Sequence, residues 1–399
     1  MVDYMRQLVT SGAAAQYAMT AAFFFLPLSK PLLYITLLVA SILFICSERF
    51  VEAWRGFRPQ PWLAPALLLA ILPGLSLLLH EDPGHTELNL SYYWIAAFIV
   101  YLASSRMPVM PWIRAFVAGV FIVFCYVQIR FPGEVHLATG LAALGNYILY
   151  SQLLAIATVL LSILYKHDSR RIVRLACLAG MGLFFIGLVS GDGRSGLLSL
   201  LLLLPLVVGN MVAQKNRKLV LVGCLIGLLL VGLSPRVQKR INEGISDLKL
   251  MQQDRKETSL GYRVDMWNTA AEVVRAHPVF GAGQGGFARA WNNRHLTAEA
   301  KGFVEPHNAF LFFASSYGLV GLAALLWLYA AVLWTGWRHR QSFEGGVVFA
   351  FAVVCIVGSM TNTMFMGAVS HAWLMLFIGL QGSLLRPGLP CMQRQGATA

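Results

Sequence analysis

Three polar side chains stand out in a largely apolar chain because of the chemistry they could perform together. Arg194 follows a tight Gly-Asp-Gly turn, Arg263 lies in a long polar segment, and His307, followed by Asn308, closes that segment. A guanidinium group binds phosphate through a fork of parallel hydrogen bonds. A neutral imidazole can take a proton from a hydroxyl near neutral pH. The set predicts a site that holds a phosphate-bearing donor and deprotonates an acceptor, with Arg289 and Asn308 as further substrate-binding candidates and no bound metal.

Each of the three residues also has a purely structural interpretation. Arg194 could be an interfacial side chain that reaches toward water from the end of a membrane helix. Arg263 could be a surface charge paired with Glu257 or Asp265, and His307 a packed or solvated ring. The functional interpretation gains weight only if other elements bring the three residues to one place.

The elements that must position these residues are membrane helices. The chain has 399 residues, of which 57% are hydrophobic and only 12% charged. A soluble domain needs far more polar surface, and apolar runs of this length are typical of helices that cross a bilayer. We predict an all-α polytopic membrane protein with about twelve spans of roughly twenty residues each. The spans lie near residues 10–28, 31–47, 62–80, 91–105, 112–129, 140–165, 172–190, 195–213, 219–234, 309–335, 345–365 and 370–385.

The distribution of Lys and Arg predicts the orientation in the membrane. With the N-terminus in the cytoplasm, the cytoplasmic segments carry seventeen bases, whereas the short loops on the other side carry only Lys30, Arg130 and Arg194. This asymmetry follows the positive-inside rule, so both termini are predicted to be cytoplasmic. Insertion alone explains the net charge of +13. The sequence therefore indicates no nucleic-acid partner, and it points to no required protein partner.

The polar segment divides the chain into three parts: helices one to nine (1–234), an outer loop (235–308), and the last three helices with a tail (309–399). Apolar spacing predicts amphipathic loop helices over 236–251 and 261–276, the second ended by His277-Pro278. Arg263 would lie in the first turn of that second helix. A cation gains nothing from the helix dipole there unless an anion binds beside it.

Other patterns in the chain are weaker indications of a functional site. Residues 281–286 match G-x-G-x-x-G but follow no strand, so we interpret them as a glycine turn rather than a dinucleotide site. Glu81 and Asp82 could hold a divalent ion, although few further ligands support them. All six cysteines fall outside the predicted outer loops, which disfavours disulfides.

Three motifs resemble bacterial O-antigen ligases, within the wider group that includes O-antigen polymerases. Residues 194–198 (Arg-Ser-Gly-Leu-Leu) are similar to the family's R-x-x-x-L element, and residues 261–283 to its outer-loop signature. His307-Asn308, followed after nine residues by Gly318-Leu-Val-Gly321, is similar to the ligases' His-Asn…Gly-x-x-Gly pattern. About twelve spans with one large outer loop before the tenth also fit, so the resemblance extends over nearly the whole chain.

The resemblance implies a membrane glycosyltransferase with a GT-C-like fold in the bacterial inner membrane, its active site facing the periplasm. The donor would be an O-antigen polysaccharide on undecaprenyl diphosphate, and the acceptor a hydroxyl of the lipid A–core oligosaccharide, both held among membrane lipids. The reaction would invert the anomeric centre without metal or cofactor. Arg194 and Arg263 would neutralise the diphosphate leaving group, and His307 would deprotonate or position the acceptor.

Two alternatives remain open at the level of sequence. An O-antigen polymerase would use the same donor but a second lipid-linked glycan as acceptor; the Gly318–Gly321 pattern favours the ligase. A polysaccharide flippase would perform no chemistry and would need basic residues within its spans, which carry almost no charge.

Overall fold

The protein is helical throughout the part that its computed structural model describes. The described residues are 2–80, 89–131, 147–191, 193–220, 222–223, 242, 245–246, 259–294, 303–364, 373 and 376–386, and they contain no strand. The helices in chain order are α1 (Val2–Thr10), α2 (Ala13–Phe25), α3 (Lys30–Ile45), α4 (Glu48–Arg55), α5 (Leu63–Leu79), α6 (Asn89–Ser104), α7 (Met110–Arg130), α8 (Tyr147–His167), α9 (Arg171–Ser190), α10 (Arg194–Met211), α11 (Ser259–Ala276), α12 (Gly286–Arg294), α13 (Ala309–Arg338) and α14 (Phe343–Thr361). Short 3-10 turns occupy Gln214–Asn216 and Leu380–Leu385.

Six of these helices are long and apolar enough to cross a membrane, or seven if the bent pair α3–α4 forms one span. This supports a multi-pass helical membrane protein but does not establish about twelve spans. Most of the predicted spans coincide with a described helix, although α2, α5 and α6 are shorter than a full crossing usually requires. The predicted span at 219–234 and the predicted loop helix at 236–251 lie almost entirely outside the described residues.

Helix α8 forms the centre of the membrane part. Its apolar window is 89% buried, far more than that of α9 or α10, which present wide apolar faces outward. It packs against α7, α9, α10 and α14. Because α8 contacts both α10, which carries Arg194, and α14, it is the scaffold against which these two helices are placed.

Helix α13 is two helices joined by a sharp reversal, and not the single span predicted over 309–335. The backbone leaves the helical region at Gly318 (φ 67°, ψ −161°). The rings of Phe310 and Tyr329 lie 6.1 Å apart between centroids, although a continuous helix would separate these residues by about 28 Å along its axis. The chain therefore folds back at Gly318, and only residues 319–338 have the length to cross a bilayer.

Two glycines make this reversal possible. The positive φ of Gly318 is a conformation that side-chain-bearing residues avoid, and a Cβ there would overlap the Val279 carbonyl. A Cβ on Gly321 would lie 3.0 Å from the Phe313 carbonyl oxygen, so this glycine lets the two halves of α13 approach closely. The Gly-x-x-Gly pattern therefore encodes a helical hairpin.

Residues 278–283, which include the first half of the glycine turn predicted over 281–286, fill the corner of the hairpin. A break in a helix frees backbone groups that must find other partners, and this segment supplies them. The hydrogen bonds run from Ala282 N–H to Ser315 O (2.9 Å), from Gly283 N–H to Ser316 O (3.1 Å) and from Leu319 N–H to Pro278 O (2.8 Å). The prediction of a glycine turn here is confirmed, and its purpose is to cover the corner.

Helices α11 and α12 form a layer beside the hairpin with a small core of its own. Met266, Ala270, Phe287 and Trp291 are fully buried in it. Helix α11 ends at Ala276, as the His277-Pro278 stop predicts, but it begins at Ser259. Arg263 therefore lies beyond the first turn, and the helix N-terminus prediction for this residue is wrong.

Candidate functional site

The centre of the candidate site is a histidine held by a carboxylate. Nδ1 of His307 lies within hydrogen-bond distance of Glu305 Oε1, and the backbone N–H of His307 donates to Glu305 Oε2 at 2.7 Å. The Glu305 side chain is only 12% exposed, whereas that of His307 is 35% exposed. A carboxylate that accepts from Nδ1–H fixes the tautomer in which Nε2 carries the lone pair. Nε2 is therefore the His307 nitrogen that can accept a proton.

The backbone of His307 is strained. Its φ of 50° is the only positive φ of a non-glycine residue among those the structure describes. This conformation costs a non-glycine residue on the order of 1 kcal/mol or more and persists where the surroundings impose it. Two contacts to Glu305 on one side and the start of α13 on the other supply that constraint.

The end of α14 and the residues just after it contact this pair and the neighbouring Asn308. Thr363 Oγ donates a short hydrogen bond to Glu305 Oε2. Asn308 caps α13 by accepting from Leu311 N–H at 3.1 Å, and its Nδ2 donates to Met360 O at 3.4 Å. Asn308 thus fixes the start of the hairpin; its role as a substrate-binding residue stays a prediction.

Arg263 shares a helix face with a residue that touches the histidine segment. Trp267 Nε1 donates to Pro306 O at 3.1 Å, immediately before His307. Arg263 precedes Trp267 by four residues on α11, so the two side chains are neighbours on one face of the helix. The face of α11 that bears Arg263 is therefore the one directed at His307.

Arg194 is placed by close packing between α10 and α8. The N–H of Gly196 donates to Ser151 Oγ at 3.2 Å, and a Cβ on Gly196 would overlap the carbonyl of Ser151. Small residues that let two helices approach closely are typical of membrane interfaces. They fix the first turn of α10, and with it the exposed Arg194.

The first turns of α8 connect this arrangement to the histidine. Gln152, next to Ser151, is fully buried, and a Cβ on Gly358 of α14 would lie 3.3 Å from its Cδ and 2.8 Å from Met364 Sδ. Met364 follows Thr363, which contacts Glu305. The structure therefore brings Arg194, Arg263 and His307 to the same end of the helix bundle.

Neither candidate guanidinium group is neutralised by a described residue. Arg194 and Arg263 form no hydrogen bond or ion pair within the part of the chain that the structure describes. Asp265, a predicted partner of Arg263, faces Arg294 at 3.9 Å instead, and Glu257 lies outside the described residues. Two unpaired cations near an oriented imidazole can bind an anion and assist a proton transfer beside it.

Two other residues from the sequence analysis have structural contacts. Arg289 donates to Ala282 O at 3.0 Å and so supports the glycine-rich turn; its role as a substrate-binding residue is still a prediction. His80 Nε2 lies 2.9 Å from Gly281 O, which ties the end of α5 to the same turn. The metal alternative at Glu81 and Asp82 lies outside the described residues.

The sequence analysis missed two residues of the site. Glu305 lies two positions before His307, a spacing at which a side chain can accept from the histidine N–H, so local sequence held a signal. Thr363 contacts Glu305 across 58 residues, and nothing near it in sequence marks that contact.

Comparison with known proteins covers the part of the chain that holds most of this site. Residues 179–326 match the family model described as O-Antigen ligase, a range that includes Arg194, Arg263, Glu305, His307 and Gly318. The chain is also similar to an uncharacterised protein of Haemophilus influenzae, with 31% identity over 139 residues, 31% of this chain and 34% of that protein. The chain thus spans about a third of the length of this curated relative.

The matched range begins in α9 and ends in the second half of α13. It leaves out α1 to α8 and all of α14, so the resemblance is supported over this range and not over nearly the whole chain. Residues 179–326, which hold the arginines, the histidine pair and the glycine hairpin, are thus similar to the O-antigen ligase family.

Proposed function

We propose that this protein is a glycosyltransferase that moves an O-antigen polysaccharide from undecaprenyl diphosphate to a sugar hydroxyl of lipid A–core. The reaction takes place at the periplasmic face of the bacterial inner membrane, with both termini of the protein in the cytoplasm. One observation carries the proposal: the Glu305–His307 pair lies at the same end of the bundle as two guanidinium groups that have no partner among the described residues.

The chemistry is a single displacement. The acceptor hydroxyl oxygen attacks the anomeric carbon of the donor while His307 Nε2 takes the hydroxyl proton. The bond between the anomeric carbon and the phosphate oxygen breaks, and undecaprenyl diphosphate leaves with the electron pair. Attack opposite the leaving group inverts the anomeric centre, and the imidazolium then returns its proton to water.

Charge stabilisation comes from Arg194 and Arg263. Negative charge grows on the diphosphate as the bond breaks, and fixed cations aimed at that charge lower the barrier. Arg194 is set by the α8–α10 contact and Arg263 by α11, so the cations come from two separate elements. Such an arrangement performs the role that a divalent cation plays in other glycosyl transfers, and we expect transfer to persist in EDTA.

Glu305 positions the base. By accepting from Nδ1–H it holds the imidazole ring in one tautomer and stabilises the imidazolium formed during transfer. Thr363 holds the carboxylate in turn. This chain of contacts supports the assignment of His307 as the general base.

Deletion of the gene separates ligase from polymerase in a strain that makes O-antigen. A ligase predicts lipid A–core without any cap, together with accumulated lipid-linked polymer. Caps of a single repeat unit would indicate a polymerase instead. A normal polymer trapped on the cytoplasmic face would indicate a flippase and contradict transfer chemistry.

A further inference from the structure

We propose that Trp267, fixed against the segment that leads into His307, forms a stacking subsite for a pyranose ring of the acceptor glycan. The ring would lie on the indole face with one hydroxyl presented to His307. This inference rests on the proposed function and adds a specificity-determining residue to it.

The exposure of Trp267 is the first observation. Its side chain is 36% exposed, and it is the one large apolar side chain exposed on α11. Met266 and Ala270 of the same helix are instead buried in the core of the layer. An aromatic ring left accessible beside polar groups is typical of a ligand site.

The ring is also held rigidly. Its N–H donates to Pro306 O, so the indole is fixed against the peptide that leads into His307. A rigid aromatic side chain loses little conformational entropy when it binds a ligand. The position of the indole is therefore set relative to the base.

Two further rings, Tyr262 and Phe303, lie beside the histidine. Phe303 meets the His307 ring edge to face at 6.0 Å and the Tyr262 ring at 6.0 Å. Phe303 also packs on the buried Trp291 at 5.7 Å. Tyr262 and Phe303 are partly exposed, so the imidazole has accessible aromatic rings next to it.

A sugar ring fits this surface chemically. One face of a pyranose presents C–H groups, which pack on the electron-rich face of an indole, while the hydroxyls around its rim seek polar partners. His307 provides such a partner next to the peptide that holds the indole. The indole is assigned to the acceptor because it is fixed beside His307, the group that takes the acceptor proton.

The test compares Trp267→Ala with Trp267→Phe in the purified full-length protein. Transfer to lipid A–core oligosaccharide is measured while acceptor and donor are varied separately. We expect Trp267→Ala to raise the acceptor KM by about tenfold, the size expected for one lost aromatic contact, with little change in donor KM. Trp267→Phe keeps a ring but loses the N–H, and we expect its acceptor KM to stay within about threefold of the wild type.

Trp334→Ala is the matched control, because Trp334 is exposed in the second half of α13, away from the site. It should leave both KM values unchanged. An unchanged acceptor KM in Trp267→Ala would overturn the inference. So would an equal fall in kcat in both Trp267 variants at constant KM, which would mean that the tryptophan only holds Pro306.

Calorimetric titration of the same variants with lipid A–core oligosaccharide separates this inference from the proposed function. Weaker binding in Trp267→Ala supports the subsite whether or not turnover is observed. Wild-type binding in Trp267→Ala contradicts the subsite alone, whereas a wild-type protein with no transfer activity contradicts the proposed function.

Discussion

At the scale of single residues, the contact with Glu305 distinguishes His307 from an ordinary surface histidine. The buried carboxylate holds Nδ1, which leaves Nε2 as the basic nitrogen, and the backbone of His307 is left-handed. The residue types of Arg194, Arg263 and His307 were sufficient to propose a site from sequence, and their catalytic roles stay a prediction. The orienting carboxylate was not predicted, because its role depends on how one turn folds.

We expect Glu305→Gln to lower kcat by about 10- to 100-fold while both KM values change little, because the loss affects orientation of the base rather than binding. Thr363→Val, which removes only the group that holds the carboxylate, should lower kcat less. Steady-state kinetics of both variants in detergent provide the measurement. A Glu305→Gln enzyme as fast as the wild type would remove the carboxylate from the mechanism.

Substitution of Arg194 and substitution of Arg263 should affect kcat in the same way. Replacing Arg194 or Arg263 with Gln should lower kcat by about 10²-fold or more, because a group that stabilises the leaving diphosphate is lost. Lysine keeps the charge but not the fork geometry, so Arg→Lys should restore part of the rate. Arg171→Gln, which changes an exposed arginine far from the site, serves as the control. Equal rates for Arg194→Gln and this control would exclude Arg194 from the proposed stabilisation of the diphosphate.

At the scale of elements, the hairpin in α13 is the feature that the sequence predicted least well. Hydropathy is high on both sides of Gly318, so the pattern favours one continuous span. The reversal becomes visible only through contacts with residues 278–283, some forty positions earlier, which supply the hydrogen bonds that the broken helix loses. Regular helices such as α9 (Arg171–Ser190) were predicted closely because apolar length alone determines them.

Gly318→Ala tests the hairpin. The left-handed backbone costs an alanine on the order of 1 kcal/mol or more, and its Cβ would overlap the Val279 carbonyl. We expect a lower melting temperature and reduced transfer, since the hairpin positions His307. Gly182→Ala on α9 is the matched control, because nothing lies within 4 Å of a Cβ there. Equal melting temperatures for the two variants would contradict the reversal at Gly318.

At the scale of the whole molecule, the two ends of the bundle differ in chemistry. One end holds the candidate site. At the other, Asp168 between α8 and α9 binds Arg170 at 2.9 Å and Arg114 of α7 at 2.5 Å. Clustered arginines at this end fit the proposed cytoplasmic orientation.

The Asp168 cluster gives a prediction of pH dependence. Hydrogen bonds from Arg170 and the charge of Arg114 lower the pKa of Asp168 well below its ordinary value. A depressed pKa in the folded state stabilises the fold above the unfolded value of about 4, and this contribution is lost as pH falls toward the folded pKa. Asp168→Asn should therefore lower the melting temperature at pH 7, and the difference from wild type should shrink in acid. A difference that stays constant with pH would show that charge is not its cause.

We propose that His307, held by Glu305 at the same end of the bundle as Arg194 and Arg263, drives glycosyl transfer. The most direct measurement is transfer by purified protein from undecaprenyl-diphosphate-linked O-antigen to lipid A–core, comparing wild type with His307→Asn. Asparagine tolerates the left-handed backbone, so this variant removes the base while keeping the local conformation. We predict transfer by the wild type and a loss of about 10²-fold or more in His307→Asn; comparable rates for the two proteins would contradict the account.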